Sequence, residues 1–422
     1  MNSPRSSSDP RQVYVIGAGV VGLSAAVQLL RRGLSVTVIE ESEPGSGASY
    51  GNSGMLGANT AIPTYRPGMI WKVPGWLADP LGPLTVKARY LPRALPWLWQ
   101  YLKAGTRAQV FHASQALRTL HRSTLEGWRD NIGGSAMDRL TRRDGQIYLW
   151  EGLNEPPTRS LEDEVRSHLG IESEILGVDQ IRQYFPGISR DISHGLFIPG
   201  NGHTVDPKGL VNALSERFQQ EGGVLVRERV VKLWRDDRGR WSLMTNLNNH
   251  HGDLVILAAG AWSARLLSTL DVKIPLESER GYHVMLRNPS IRLNMPILNK
   301  TRYFGLNSMS EGLRVSGTVE IAGLEAPPTL KRAKILVTQA KRLFPALTFD
   351  EEVYWMGHRP STPDGLPVIG PIPGQPNLFG CFGHGHSGLT AAPASGQLLA
   401  ELICGEKPTI DPEPFAASRF LR

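Results

Sequence analysis

Cysteine is scarce in this chain of 422 residues, which contains only Cys381 and Cys404. Neither cysteine has a base at a defined spacing, and no set of potential ligands has metal-site spacing, so the sequence predicts neither a thiol nucleophile nor a metal centre. The low cysteine content and the lack of a secretory pattern favour a reducing, cytoplasmic compartment. Residues 1–12 are polar and lack the apolar segment of a signal peptide, so we predict a disordered tail there.

Long hydrophobic runs and dense basic runs are also missing. No stretch approaches the roughly 18 consecutive apolar residues that indicate a membrane-spanning helix. Lysine and arginine exceed aspartate and glutamate by 46 − 39 = 7, but they are not clustered as nucleic-acid binding would require. The surplus fits an ordinary basic surface, and it also fits attraction to acidic lipids or anionic substrates. With 41% hydrophobic residues, a chain of this length predicts a globular protein of two domains.

What the sequence does contain is a glycine-rich turn, GAGVVG at residues 17–22, around which the chain is organised. The turn follows an apolar strand at 13–16 and opens a helix at 23–30, and the next strand, 34–39, ends at Glu40. The first glycine permits the tight turn, the second lets a pyrophosphate approach the backbone, and the third lets helix and strand pack closely. The helix N-terminus offers N–H groups to the phosphates, and the acid accepts hydrogen bonds from a ribose. The pattern predicts a bound dinucleotide, FAD or NAD, rather than a turn without a ligand.

Two further glycine-rich segments bear on the ligand. The loop 45–54 can lay backbone amides and the hydroxyls of Ser49 and Ser53 along a flat ligand, although a solvent loop is the alternative. The turn GHGHSG at 383–388 precedes a helix at 389–404 but lacks the strand and acid of a second dinucleotide site. A helix N-terminus beside the pyrimidine ring of a flavin stabilises the negative charge created there by reduction. The second turn therefore favours a flavin over a nicotinamide, unless its glycines only make a turn.

Arg359 is the first candidate for substrate binding. Its guanidinium is a planar fork that can hold a carboxylate with two hydrogen bonds, and Pro360 and Pro363 stiffen its segment. The alternative is an ion pair with a structural acid such as Asp364.

Four further side chains can meet the substrate or the cofactor. Alternation on a predicted strand places Arg280 and Tyr282 on one face, where they can supply a second cation and a hydroxyl, or lie in the core or on the surface. His384 and His386 flank the second turn and can tune its charge or contact the substrate. A histidine that only hydrogen-bonds to the backbone is the alternative for both.

The remaining segments are less specific. Residues 63–104 are rich in proline and tryptophan. This composition predicts a segment that folds over a neighbouring domain, and contact with a membrane interface is the alternative. One long amphipathic helix is predicted at 107–131. The apolar run 253–259 resembles a buried parallel strand whose carboxyl end faces a ligand.

With these segments placed, the chain resembles the D-amino-acid oxidase superfamily of FAD-dependent oxidoreductases, and most closely its bacterial D-amino-acid dehydrogenase branch. The resemblance covers nearly the whole chain after the tail and rests on VYVIGAGVVGLSAAVQLLRRG with Glu40, VILAAGAWS, GLRVSGTVE, GHRPSTPDGLPVIGP and GHGHSGLTAAPASGQLLAELI. It implies FAD at the first turn, at Ser49, at Val230 and at the loop from 383 to 390, and a carboxylate-binding arginine at Arg359. Sarcosine-oxidase-like members carry a flavin-linking cysteine where this chain has Gly357, so the resemblance implies non-covalent FAD.

We therefore predict an α/β fold with a discontinuous Rossmann-type FAD-binding domain and an interleaved, strand-rich α+β substrate-binding domain. The predicted FAD-binding segments are 13–60, 202–265 and 352–422, and the predicted substrate-binding segments are 61–201 and 266–351. The predicted cofactor-binding residues are Gly17, Gly19, Val20, Val21, Gly22, Glu40, Glu41, Ser49, Asn52, Ser53, Gly54, Val230, Ala259, Gly260, Trp262, Arg359, Gly383, His384, Gly385, His386, Ser387, Gly388, Leu389 and Thr390. The predicted catalytic or substrate-binding residues are Arg359, Tyr282, Arg280 and His384.

The resemblance implies an enzyme that oxidises a small amino or imino acid. The Cα hydrogen of a D-amino acid leaves as a hydride to the flavin, and the imine hydrolyses to a 2-oxo acid and ammonia, which needs positioning rather than a strong base. For a dehydrogenase, the electrons would pass to a quinone-type acceptor at the inner face of the membrane, and the tryptophan-rich segment would contact that membrane. The alternatives are an oxygen-using oxidase of glycine, sarcosine or a cyclic imino acid such as D-proline or hydroxyproline, a non-catalytic FAD-binding subunit, and a nicotinamide dehydrogenase. The sequence leaves the substrate and the oligomeric state open.

Overall fold

The computed structural model describes residues 11–152 and 160–421, so most of the predicted tail lies outside the described residues. Numbered in chain order, the α-helices are α1 Val20–Leu30, α2 Val73–Ala78, α3 Leu91–Ala104, α4 Arg107–His121, α5 Thr124–Ile132, α6 Gly134–Leu140, α7 Leu161–His168, α8 Val178–Tyr184, α9 Pro207–Gln220, α10 Ser263–Ser268, α11 Lys331–Leu343 and α12 Gly388–Cys404. The strands are β1 Gln12–Ile16, β2 Ser35–Glu40, β3 Met55–Leu56, β4 Leu84–Val86, β5 Thr141–Arg142, β6 Gln146–Glu151, β7 Glu174–Leu176, β8 Ile192–Ile198, β9 Gly202–Thr204, β10 Val224–Arg227, β11 Val230–Arg235, β12 Trp241–Thr245, β13 Asn249–Gly252, β14 Leu254–Leu257, β15 Glu277–Arg287, β16 Ile297–Asn299, β17 Phe304–Met309, β18 Gly312–Ile321, β19 Glu351–Ser361, β20 Val368–Pro371 and β21 Leu378–Phe382.

The first large sheet has six strands in the order β10-β2-β1-β14-β21-β20. Its first five strands are parallel and β20 runs antiparallel to β21. Helix α1 packs against α9 and α12, and Gly22 brings α1 close to the first turn, since a Cβ at Gly22 would lie 2.0 Å from the carbonyl oxygen of Gly17. The strands come from three distant parts of the chain, which confirms the predicted discontinuous α/β fold.

The second large sheet has nine strands among the described residues, in the order β19-β15-β18-β17-β16-β6-β8-β7, with β4 paired to β18. Strand β19 pairs with β15 along its full length of 11 residues. The predicted division assigns β19 to the FAD-binding part, whereas its hydrogen bonds join it to this sheet. It therefore belongs to the nine-stranded sheet.

The helical segment 107–140 differs from the prediction of one long helix. It forms α4, α5 and α6, with a break at Arg122 and Ser123. Ser123 makes no side-chain cap hydrogen bond at this break, and the Thr124 hydroxyl donates to the carbonyl oxygen of Thr390 in α12. The predicted division places the segment in the substrate-binding part, yet α4 and α5 pack against α12 beside the six-stranded sheet. Trp128 of α5 is fully buried there and donates to the carbonyl oxygen of Leu389 at 2.9 Å.

Residues 63–104 fold over the cavity described below. Trp97 of α3 donates from Nε1 to the carbonyl oxygen of Ser361 at 3.0 Å, which fixes this helix to the end of β19. Other apolar side chains of the segment face outwards, and Trp71 and Trp99 are 85% and 61% exposed. Within residues 11–152 and 160–421, no helix has the length and apolar character needed to cross a membrane.

Candidate active site

A cavity of about 1630 Å³ is lined by residues of both large sheets. Pockets for one drug-sized ligand usually measure about 300–1,000 Å³, so this cavity has room for a large cofactor together with a small substrate. The first glycine-rich turn and the turn at 383–388 both line it. The two distant segments that the sequence assigns to one ligand therefore meet in one space.

The nucleotide end of the cavity is built at the start of α1. Gly17 has a φ of +109°, and a Cβ at this position would lie 2.5 Å from the carbonyl oxygen of Ala258 at the end of β14. The N–H of Val20 donates to Ser49 Oγ at 3.2 Å, so the loop that follows β2 folds over the helix N-terminus. The first N–H groups of a helix have no acceptor within it. A backbone brought this close, with helix N–H groups beside it, fits a pyrophosphate.

Glu40 lies where the ribose of a dinucleotide is expected. One carboxylate oxygen accepts from the N–H of Ala18 at 2.8 Å and the other accepts from the N–H of Ser42 at 3.1 Å. Each carboxylate oxygen has a second lone pair, so Glu40 can still accept hydrogen bonds from ribose hydroxyls. These residues therefore fit a dinucleotide.

The turn before α12 is joined to the strand that carries Arg359. The N–H of Gly385 donates to the carbonyl oxygen of Pro360 at 2.7 Å, and Ser361 and His384 form an isolated β-bridge. Thr390 in the first turn of α12 accepts at Oγ1 from the N–H of Gly57 at 3.1 Å. The α12 N-terminus is thus fixed both to β19 and to the loop after β3, and it borders the cavity.

Arg359 lies over the backbone of β15. Its side chain crosses Gly281, where an added Cβ would lie 2.0 Å from the guanidinium carbon, and Nη1 donates to the carbonyl oxygen of Thr318 at 3.4 Å. Glu279 is directly opposite Arg359 in the pairing of β15 with β19, and both side chains line the cavity. Burial lowers the pKa of Arg359 and the nearby Glu279 opposes this effect. An arginine stays charged at any physiological pH, so a cation and an acid stand side by side here.

Glu279 is the residue that sequence reasoning missed. Its carboxylate accepts from Ser361 Oγ at 2.9 Å and from His386 Nε2 at 3.0 Å. Burial alone would raise the pKa of Glu279, but the hydrogen bond and charge of His386, the hydrogen bond from Ser361 and the charge of Arg359 hold it below its usual value. The sequence signal that could have identified Glu279 is its position one residue before Arg280, because alternation places it on the opposite face of the strand.

The structure corrects the predictions for Arg280 and Tyr282. Arg280 does not line the cavity: it is fully buried and donates to the carbonyl oxygens of Gly323 and Pro327 at 2.8 and 3.2 Å. Tyr282 borders the cavity, but its hydroxyl donates to Glu320 at 2.6 Å and does not supply the predicted free hydroxyl. Both residues face Glu320. The other face of β15, which carries Glu279 and Gly281, is the one that meets Arg359.

His384 borders the cavity without a charge. Its Nε2 hydrogen-bonds with Ser395 Oγ at 2.9 Å, and burial, together with the nearby His121, lowers its pKa to about 3. The ring is therefore neutral at physiological pH and cannot tune the cofactor through a positive charge.

Trp355 fills the space between two glycines at the cavity wall. Its indole stacks on His283, with ring centroids 4.9 Å apart. A Cβ at Gly51 would lie 1.8 Å from this indole, and a Cβ at Gly357 would lie 1.9 Å from it. Gly357 is the position at which sarcosine-oxidase-like members carry the flavin-linking cysteine. The indole of Trp355 occupies the space that a side chain at Gly357 would need.

Most of the predicted cofactor-binding residues border the cavity, while Gly22 and Gly54 do not; Gly22 acts through the packing of α1. The predicted residues that line the cavity are Gly17, Gly19, Val20, Val21, Glu40, Glu41, Ser49, Asn52, Ser53, Val230, Ala259, Gly260, Trp262, Arg359, Gly383, His384, Gly385, His386, Ser387, Gly388, Leu389 and Thr390. Their individual roles stay predictions. Within the described ranges, no group of histidine, cysteine, aspartate and glutamate is arranged to hold a metal ion.

Comparison with known proteins gives a consistent result. The family model described as FAD dependent oxidoreductase (DAO) matches residues 12–402. A protein named D-amino-acid oxidase from Bradyrhizobium diazoefficiens is 38% identical over 97% of this chain and 99% of its own length. A D-amino acid dehydrogenase from Vibrio atlanticus is 29% identical over 97% of this chain and 100% of its own length. The crystal structure of glycine oxidase from Geobacillus kaustophilus superposes with a TM-score of 0.72 at 23% identity, covering 97% of this chain and 99% of that one. The chain therefore belongs to the DAO family of FAD-dependent oxidoreductases, and it is an enzyme whose cofactor is FAD.

Proposed function

We propose that this enzyme oxidises a D-amino acid to a 2-oxo acid and ammonia and passes the electrons to a quinone-type acceptor. The observation that carries the proposal is the cross-strand pairing of Arg359 with Glu279 beside the turn that precedes α12. FAD, when bound, accepts the Cα hydrogen together with its electron pair. The name of the relative that is 38% identical supports the D-amino-acid substrate class.

Arg359 is proposed to hold the substrate carboxylate. The guanidinium can make two parallel hydrogen bonds to it, which fixes the position and the orientation of the carboxylate together. Gly281 leaves the space in which the guanidinium lies. A substrate anchored in this way keeps its Cα at one place in the cavity, and positioning of that kind is the largest contribution this site can make to the rate.

Glu279 is proposed to accept a hydrogen bond from the substrate amine. It is a carboxylate at neutral pH because its pKa is lowered, and it lies on the same face as Arg359. The ammonium group of an amino acid must lose a proton before the Cα hydrogen leaves as hydride. The side chain of His386 is hydrogen-bonded to Glu279 and 42% exposed, so it offers a route for that proton to solvent.

The proposal is tested by anaerobic mixing of the holoenzyme with D- and L-amino acids, glycine, sarcosine and cyclic imino acids while flavin absorbance is followed. D-amino acids should bleach the flavin. Arg359→Gln should raise the substrate dissociation constant by about 10- to 100-fold, because charge-assisted hydrogen bonds are lost, and should leave the FAD content unchanged. The exposed Arg238 provides the matched control Arg238→Gln. Bleaching only by glycine, sarcosine or imino acids would replace the proposed substrate, and loss of flavin from Arg359→Gln would contradict the proposed role.

The electron acceptor is proposed from the exposed apolar side chains of residues 63–104. Trp71 and Trp99 are exposed at the surface, while Met69, Leu98 and Leu102 of the same segment line the cavity. An apolar surface continuous with the wall of the cavity suits a lipophilic acceptor that reaches the flavin from a membrane interface. Turnover in air with a soluble quinone should reduce the quinone without peroxide. Peroxide formed in proportion to the 2-oxo acid would identify an oxidase instead.

A further inference from the structure

A buried cluster of charged side chains lines the cavity away from both glycine-rich turns. Glu162 of α7 is contacted by three cations: Arg66 forms an ion pair with it, Lys300 Nζ lies 3.1 Å from it and Arg166 lies 3.8 Å from it. The side chains of Arg166, Lys300 and Glu162 are 6%, 11% and 14% exposed. All four residues border the cavity.

The cluster has more positive than negative charge. Arg166 also pairs with Asp163, so among the described residues three cations face two carboxylates. The Nε of Arg66 and the Nη1 of Arg166 are buried without a hydrogen-bond partner. These two nitrogens face the protein rather than the cavity, so what attracts an anion to the cavity wall is the surplus positive charge of the cluster.

We propose that Arg66, Arg166 and Lys300 form a second anion-binding subsite, which takes the side-chain acid group of a dicarboxylic D-amino acid. The inference rests on the proposed function, in which Arg359 holds the α-carboxylate. The two sites would then bind the two ends of one substrate. They would favour it over substrates with an uncharged side chain.

The order of strands places the two sites at a suitable separation. Arg359 donates to the carbonyl oxygen of Thr318 on β18, and β16, which ends immediately before Lys300, lies two strands away across β17. Neighbouring strands are about 4.8 Å apart, so the backbones of β18 and β16 are about 10 Å apart. A dicarboxylic amino acid with about 5 Å between its carboxylates and a contact of about 2.8 Å at each end spans a similar length.

The cavity wall between the sites suits the carbon chain of such a substrate. Phe304 and Tyr303 line the cavity there, and Trp76 of α2 packs edge-on against Tyr303 with ring centroids 5.3 Å apart. The ammonium of Lys300 lies 5.2 Å from the ring centroid of Tyr148. Aromatic side chains of this kind pack against methylene groups and exclude water, which strengthens the attraction between the cluster and an anion.

The test compares an acid with its isosteric amide in the FAD-loaded enzyme. The rate and dissociation constants of flavin reduction are measured for D-glutamate and D-glutamine, and for D-aspartate and D-asparagine. The acid of at least one pair should be favoured by about 10- to 100-fold in the ratio of rate constant to dissociation constant. Lys300→Met should reduce this preference at least several-fold, whereas Lys273→Met, at an exposed lysine outside the cavity, should leave it unchanged. Arg66→Gln provides a second variant if Lys300→Met does not fold.

Two outcomes separate this inference from the proposed function. If D-glutamine and D-asparagine reduce the flavin as efficiently as the acids, the second subsite is refuted and the D-amino-acid activity stands. If no D-amino acid reduces the flavin, the proposed function fails, and equilibrium binding of glutarate and its monoamide, measured by calorimetry, still decides the subsite. Tighter binding of glutarate that disappears in Lys300→Met supports it, and equal binding of the two compounds overturns it.

Discussion

Substitution of Gly281 by alanine tests the proposed carboxylate site without replacing the arginine. The added Cβ would lie 2.0 Å from the guanidinium carbon of Arg359 and 2.2 Å from both terminal nitrogens. An ordinary contact between carbon atoms needs about 3.5 Å, so the guanidinium must move by about 1.5 Å. Such a shift breaks at least one of two charge-assisted hydrogen bonds, each worth about 1.5–3 kcal/mol. We therefore expect the substrate dissociation constant to rise by about 10- to 100-fold.

The assay is an anaerobic titration of the oxidised enzyme, with flavin reduction as the signal and FAD content measured in parallel. FAD content should not change, because Gly281 lies on β15 of the nine-stranded sheet, whereas the nucleotide end of the cavity is built at the start of α1. Gly75 in α2 has no atoms within 4 Å of an added Cβ, so Gly75→Ala is the matched control. An unchanged dissociation constant in Gly281→Ala would show that Arg359 does not anchor the carboxylate in the observed position.

Three further predictions concern the cofactor site and the second subsite. Glu40→Gln should weaken FAD binding about tenfold through loss of a charge-assisted acceptor, as measured by fluorescence titration of the apoenzyme; an unchanged affinity would exclude the ribose contact. Gly22→Ala places a Cβ 2.0 Å from the carbonyl oxygen of Gly17, so we expect a loss of stability of about 1–3 kcal/mol with reduced FAD content, and a wild-type melting temperature would contradict this. Burial and the neighbouring Arg66 lower the pKa of Lys300 to about 8. The preference for an acid over its amide should therefore be largest well below pH 8, where Lys300 is fully charged, and should fall as the pH rises through about 8, where half of Lys300 is charged; stopped-flow measurements from pH 6 to 10 test this, and a flat ratio would contradict it.

The features that the sequence predicted well are those encoded by neighbouring residues. The first glycine-rich turn, its flanking strands and Glu40 lie within 30 residues of sequence, and their steric requirements identify the positions directly. The turn at 383–388 was predictable for the same local reason. Its connection to the first turn, some 360 residues earlier, was inferred because the second turn lacks the strand and the acid of a dinucleotide site of its own.

The features that were missed depend on pairing between distant strands. Alternation correctly placed Arg280 and Tyr282 on one face, but the sequence does not state which face meets β19. The pairing of Glu279 with Arg359 fixes that face, and it joins residues 80 positions apart. The charged cluster around Glu162 was even less predictable from the sequence, because its members come from the segment after β3, from α7 and from the end of β16. No spacing in the sequence marks such a site.

Trp355 limits how this lineage can change. A cysteine placed at Gly357 would meet the indole at less than 2 Å, so the indole must move or become smaller before that position can hold a side chain. Either change would disturb the stacking on His283 and the packing beside Gly51. The intermediate sequence would carry a defect in packing before any benefit of covalent attachment appeared. Gly51, Trp355 and Gly357 are therefore expected to change together in evolution or not at all.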